Sequence, residues 1–152
     1  MKPILVLDSS PLGLLFQKPK IKAADDCREW LRQQLSAGVL VLVPEIVQYE
    51  LRRELLRLDR TASAAALVAF SQAVTGRFIP ITSQAMTLAA ELWARTRRAG
   101  KPTADPHALD IDVILAAQVL AAGVDPADFV VATSNVSHLS LFVPAAAWET
   151  IG

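Results

Sequence analysis

Three acidic side chains lie next to apolar runs of the sequence, and a fourth lies within a segment with helical spacing. Asp8 directly follows the apolar run Ile4–Leu7, and Asp110 and Asp112 open a second apolar stretch, VILAA. Glu50 lies about two turns into a segment with helical spacing. Carboxylate oxygens are ligands that Mg²⁺ and Mn²⁺ prefer, and such ions activate water and neutralise charge on a phosphoryl group. If the fold brings these acids together, the sequence predicts metal-assisted hydrolysis of a phosphodiester.

Small polar side chains accompany the acids. Ser9 follows Asp8, and Thr133, Ser134 and Asn135 end the apolar run that begins at Phe129. In open parallel sheets, ligands bind in the crevice beyond the carboxyl ends of the strands. We therefore expect these hydroxyl and amide groups to orient the carboxylates or water at one edge of a sheet.

Each of these residues also has a simpler structural explanation. Asp8 and Asp110 are suited to cap helices, because an Asp side chain accepts hydrogen bonds from exposed helix amides. Glu50 fits an exposed helical position beside basic residues, and the polar residues after the last strand fit a turn. Asp112 is less easily explained, since a helix start needs only one capping carboxylate. The combination indicates a site, whereas no single residue does.

Four short apolar runs predict the strands that position these residues. Continuous apolar character without alternation is typical of strands that are covered on both faces, as in a parallel sheet. The runs cover residues 4–7, 39–43, 77–81 and 129–133, and a further strand is predicted near residues 148–151.

Helical patterns separate these strands. They span residues 23–36, 44–58, 62–74, 83–99 and 110–122, and residues 101–109 (KPTADPHAL) are predicted to form a loop. Strands that alternate with helices indicate an α/β domain with a mainly parallel central sheet. With 152 residues and no linker-like segment, the chain is predicted to form a single domain over residues 1–152.

Composition narrows the class of protein. Hydrophobic residues make up 53% of the chain, which excludes a disordered protein. The 15 basic and 15 acidic residues cancel, so a nucleic-acid contact needs local clustering of charge. One cysteine excludes an internal disulfide framework, and no apolar run is long enough for a signal peptide or a membrane helix. We expect a cytoplasmic protein without a membrane partner.

One local cluster of positive charge ends the helix predicted over residues 83–99. Its members are Arg95, Arg97, Arg98 and the following Lys101. They fit contacts to an RNA backbone, and they equally fit a favourable cationic helix C-terminus. The Ala-rich segments 62–74 and 85–94 are apolar enough to supply a dimer surface, and the three tryptophans fit core or interface positions better than base stacking.

The order of four motifs resembles the PIN-domain family, including the VapC-type toxin ribonucleases, over nearly the whole chain. The first motif is ILVLDSS with Asp8, and the second is VLVPEIVQYELRRE with Glu50. The third is LDIDVILAAQVLAAG, in which Asp112 aligns best, and the fourth is VVATSNVSHLSLF with Asn135. Each motif alone is weak, but the four in this order form a fairly specific pattern.

The resemblance implies a three-layer α/β/α fold and a divalent-metal-dependent endoribonuclease that is the toxin of a toxin–antitoxin pair. By that analogy Asp8, Glu50 and Asp112 hold Mg²⁺ or Mn²⁺, and Asp110 supports a second ion. Ser9 and Thr133 orient ligands or water. RNA is then the substrate, a small antitoxin the protein partner, and a homodimer the expected assembly.

One position departs from the family pattern. Many PIN relatives carry Asp where this chain has Asn135, and an amide adds no charge, so a second ion is expected to bind more weakly. This departure favours an alternative function, a non-catalytic PIN-like module that binds RNA or protein. Other α/β phosphate enzymes fit less well: Ser10 replaces the second Asp of the haloacid-dehalogenase type, and the chain lacks a Walker-type Gly-rich loop with its Lys.

Overall fold

A computed structural model describes residues 3–18, 20–100 and 106–152. Its centre is a sheet of five strands, all parallel, in the order β3-β2-β1-β4-β5. The strands are β1 Ile4–Leu7, β2 Val41–Pro44, β3 Phe78–Ile79, β4 Phe129–Ala132 and β5 Ala145–Ala146. The prediction of an α/β fold with a parallel central sheet is confirmed.

Helices connect the strands and flank the sheet. They are α1 Ser9–Leu15, α2 Lys22–Ser36, α3 Glu45–Arg57, α4 Thr61–Gln72, α5 Ser83–Arg98, α6 Pro106–Ala121 and α7 Val136–Leu139. Short 3₁₀ turns cover Pro126–Asp128 and Trp148–Thr150. This arrangement agrees with the expected α/β/α layers. None of the described helices is both long and apolar enough to cross a membrane.

The strand order places a topological switch between β1 and β4. From β1 the chain builds β2 and β3 on one side of the sheet, and then β4 and β5 on the other. In register, Leu7 pairs with Ala132, so Asp8 and Thr133 follow neighbouring strands at the same edge. Ligands of doubly wound sheets bind at such a switch point.

The core explains why the strands read as continuous apolar runs. Val6, Leu7, Val43 and Val131 are completely buried because helices cover both faces of the sheet. α6 is buried almost all around, with Leu115 fully inaccessible to solvent. Burial of each such side chain contributes about 1.5–3 kcal/mol, so the sheet edge is a firm support for a site.

Three details differ from the sequence predictions. α6 begins at Pro106, so the loop prediction for residues 101–109 is wrong for residues 106–109, and residues 101–105 lie outside the described residues. Proline is tolerated in the first turn of a helix because it lacks only an N–H that would be unpaired there. The final strand is Ala145–Ala146, whereas Trp148–Thr150 forms a 3₁₀ turn. Neither α1 nor α7 was among the predicted helical spans, although Asp8 was considered as a helix cap, since each is too short to show helical periodicity.

Candidate active site

Asp8 lies at the end of the central strand β1 and is 7% exposed. Its extended backbone makes it the N-cap of α1, where Oδ1 accepts a hydrogen bond of 2.7 Å from the Ser9 amide. Its Oδ2 accepts a hydrogen bond of 2.7 Å from the Thr133 hydroxyl. The capping explanation is therefore correct, and the same carboxylate also contacts the end of β4.

Asn135 links this strand end to the second acid. Its backbone amide donates to Thr133 Oγ1 at 2.8 Å, and its side-chain Nδ2 donates to Asp112 Oδ2 at 3.3 Å. Thr133 is completely buried, and Asp112 is 6% exposed. A continuous chain of hydrogen bonds thus runs from Asp8 through Thr133 and Asn135 to Asp112.

The carboxylates also act on one another through their charges. Burial, followed by the negative charges of Asp8 and Glu50, raises the pKa of Asp112 to about 7. Burial also raises the pKa of Asp8, against the lowering effect of the hydrogen bonds from Thr133 and Ser9, and the charge of Glu50 adds to the increase. A cation bound between these acids would relieve both penalties.

The donors present fit a hard divalent ion. Mg²⁺ takes oxygen ligands, uses only one or two carboxylates and keeps several of its waters. Asp8 and Asp112 supply two buried carboxylates, and the negative charge of half-buried Glu50, on α3, acts on Asp112. Within residues 3–18, 20–100 and 106–152, no group of three or more His, Cys, Asp or Glu side chains is close enough to hold an ion directly. Glu50 acts on Asp8 and Asp112 through its charge.

Asp110 is not brought to these acids. It is exposed and lines a groove between α5 and α6 with Trp93 and Val113, whereas Asp112 is buried. Residues two apart on a helix point about 200° apart, and the early start of α6 puts both acids inside the helix. A second-ion role for Asp110 stays a prediction that this placement does not favour.

Hydrogen bonds made by three serines surround the junction between β1 and β4. Ser9 contributes its backbone amide, as described above, and Ser134 is an exposed residue whose amide donates to Ser10 Oγ at 2.9 Å. Sequence reasoning missed this role of Ser10, although the second serine of LDSS was available as a signal. Two hydrogen bonds therefore join the chain after β1 to the chain after β4, one at Asp8 and one at Ser10.

The basic cluster lies apart, at the end of α5. Arg95, Arg97 and Arg98 occupy its last turn, as a favourable cationic C-terminus requires, and Lys101 lies outside the described residues. The guanidinium of Arg97 lies 5.7 Å from the centre of the Trp93 ring, and Trp93 is 39% exposed. An interface position suits Trp93, while Trp30 packs against Trp148 in the core with ring centres 5.5 Å apart.

No protein-family model and no curated protein matches this sequence. Solved structures do resemble its fold. One is VapBC2 from Rickettsia felis bound to a DNA fragment from its promoter, with a TM-score of 0.68 and 13% identity over 95% of this chain and 98% of that chain. FitAcB from Neisseria gonorrhoeae gives a TM-score of 0.66 and 17% identity over 97% and 99%.

A third similar structure is VapC20 from Mycobacterium tuberculosis, described as a sarcin-ricin loop cleaving toxin. It gives a TM-score of 0.60 and 13% identity over 91% of this chain and 95% of that chain. Similarity at these low identities establishes the fold, and it covers nearly the whole length of each chain. The chain therefore has the PIN-domain fold of the VapC toxin structures.

Proposed function

We propose that this protein is a divalent-metal-dependent endoribonuclease that hydrolyses RNA phosphodiester bonds with Mg²⁺ or Mn²⁺. The observation that carries the proposal is the pair of buried carboxylates, Asp8 and Asp112, joined through Thr133 and Asn135 at the switch point of the sheet. Burying carboxylates that repel one another lowers the stability of the folded protein, and such arrangements are concentrated in active sites.

The residues have distinct parts in the proposed reaction. When bound, the ion supplies the positive charge that activates a water and stabilises charge on the phosphate. Thr133 and the Ser9 amide fix both oxygens of Asp8, and Asn135 fixes Asp112. Glu50, half-buried and close enough for its charge to act on both acids, would accept a proton from the attacking water as the bond from phosphorus to the leaving ribose oxygen breaks, and that oxygen would take a proton from solvent.

The partners follow from the same proposal. Similar folds occur in VapBC and FitAB structures bound to DNA fragments, which supports an antitoxin as the protein partner of this toxin-like chain. RNA is the proposed substrate, with Arg95, Arg97 and Arg98 contacting its phosphates. A homodimer is proposed because α5 leaves Met86 and Trp93 exposed beside the apolar groove it forms with α6.

A second candidate function is a non-catalytic module that binds RNA or protein. The observation that favours it is the amide at Asn135, which contributes no charge to the acidic pair, together with the lack of a direct three-ligand group in the described part of the chain. Such a module would still use the fold, but it would bind RNA or protein without cleaving RNA.

The two candidates are separated by an RNA-cleavage assay with the purified protein and a mixture of structured and single-stranded RNAs. A nuclease is expected to cut with Mg²⁺ or Mn²⁺, stop when EDTA is added and resume when the ion is restored in excess. A non-catalytic module is expected to retain RNA in a mobility-shift assay without shortening it under any of these conditions.

A further inference from the structure

Gln118 is a buried amide that joins three separate elements of the fold. It lies in α6 and is 1% exposed. Its Oε1 accepts a hydrogen bond of 3.0 Å from the Ile46 amide of α3, and its Nε2 donates one of 2.7 Å to the Ile79 carbonyl of β3. A backbone donor on one side and a backbone acceptor on the other fix the orientation of the amide.

The hydrogen bond from the Ile46 amide to Gln118 takes the place of a side-chain N-cap for α3. The N-cap residue of α3 is Pro44, which makes no side-chain hydrogen bond to the helix. The first amides of a helix have no partner within the helix and need one elsewhere. Gln118 supplies it from 72 residues away, so the start of α3 is held by α6 rather than by its own sequence.

The Gln118 side chain connects α3, which carries Glu50, with α6, which carries Asp112. Ile46 and Glu50 are four residues apart, hence on the same face of α3 and about 6 Å apart along its axis. Asp112 lies six residues before Gln118, about 9 Å along the axis of α6. α3 packs against α6, and the charge of Glu50 acts on Asp112. A small shift between the helices would therefore change the distance between the two carboxylates.

We infer that Gln118 is a positioning residue: by holding the first turn of α3 against α6, it sets the separation of Glu50 and Asp112 and thereby the affinity of the site for a divalent ion. This inference deepens the proposed function and depends on it. Groups that orient the residues around an ion commonly change metal affinity or activity by about 10–100-fold when they are removed.

The test is titration with Mn²⁺ alone, with the free ion followed by electron paramagnetic resonance and no RNA present. Gln118→Met keeps the length of the side chain and removes both hydrogen bonds. It is expected to bind Mn²⁺ about tenfold more weakly than wild type while keeping its far-UV circular dichroism spectrum. The control is Ser71→Ala, which removes a buried hydrogen bond to Leu67 in α4, away from the acids, and is expected to bind within twofold of wild type.

A second variant keeps the test decisive if Gln118→Met does not fold. Gln118→Asn keeps a neutral amide but shortens the side chain by one methylene, so it cannot reach both the Ile46 amide and the Ile79 carbonyl. Because this variant adds no charge, weaker Mn²⁺ binding by it supports a positioning role.

The outcomes separate this inference from the proposed function. Wild-type affinity in a folded Gln118→Met protein, or unweakened affinity in Gln118→Asn when Gln118→Met does not fold, overturns the positioning role and leaves the nuclease proposal intact. Wild-type protein that binds no Mn²⁺ overturns both. Weakened binding in the Gln118 variants beside an unaffected Ser71→Ala protein is the expected result.

Discussion

The raised pKa of Asp112 is the feature of a single residue with the widest consequences. Its ordinary value is 3.8, and in the folded protein burial and the neighbouring charges raise it to about 7. Well below pH 3.8 the group is protonated in both the folded and the unfolded chain and does not affect stability. As pH rises to about 7 the unfolded chain gives up this proton first, so stability falls, and above pH 7 the cost is complete.

Asp112→Asn is therefore expected to stabilise the protein without metal. At pH 8 in EDTA the variant should unfold with a free energy about 1–3 kcal/mol above that of wild type, because a buried charge is removed. The difference should shrink steadily as pH falls from about 7 towards 3.8, and added Mn²⁺ should stabilise wild type alone. Urea denaturation measures each free energy, and a wild-type advantage at pH 8 without metal would contradict the account.

Thr133 provides a second prediction at this scale. Thr133→Val keeps the shape of the side chain but removes the bond to Asp8 and the acceptor for the Asn135 amide. A loss of about 1–3 kcal/mol in the free energy of unfolding is expected, since buried polar groups lose their partners. Thr96→Val is the matched control, because that buried hydroxyl donates only within α5, to Leu92. Equal losses in the two variants would argue against a special role for Thr133.

Sequence reasoning worked for the residues that follow strands and for Asp112 inside α6, but not for Asp110 or Gln118 in the same helix. Asp8 and Thr133 were placed at one edge because their strands end there. The direction of Asp110 was not predictable, since its face depends on where α6 begins. Gln118 gave no signal because its partners lie 72 and 39 residues away and are backbone groups.

At the scale of elements, α1 is the least typical helix. It has seven residues, contains Pro11 and Gly13, and begins directly at the cap Asp8. Its sequence has too few positions to show a period, which is why the strands and the longer helices were predicted and this helix was not. The capping carboxylate and the packing of α1 against α2 and α3 hold it in place.

Gly13→Ala is expected to stabilise α1. Glycine inside a helix costs about 0.5–1 kcal/mol relative to alanine. A methyl group at this position would meet Leu51 Cδ1 at 3.5 Å, which is ordinary van der Waals contact. Thermal unfolding should show a higher midpoint for the variant, and a lower midpoint would mean that the contact with Leu51 is too close for the packing to accept.

For the whole molecule, the proposed homodimer makes the clearest prediction. Trp93→Glu places a charge beside Met86 in the groove between α5 and α6, where an apolar partner surface would be buried. Wild type is expected to have the mass of a dimer by light scattering, and the variant the mass of a monomer. Glu91→Gln, an exposed change in the same helix, is the control. A monomeric wild type would contradict the dimer proposal without affecting the site.

Metal-dependent RNA cleavage by matched variants shows whether Asp8 and Asp112 form the active site of a nuclease. Wild type, Asp8→Asn, Asp112→Asn and the surface control Glu91→Gln, all purified identically, are incubated with the same RNAs and Mg²⁺ or Mn²⁺. We expect cutting by wild type and Glu91→Gln, and a loss of at least about 100-fold in both site variants, because each removes one of the two buried carboxylates. Cutting that survives in both site variants, or no cutting by wild type, would contradict it.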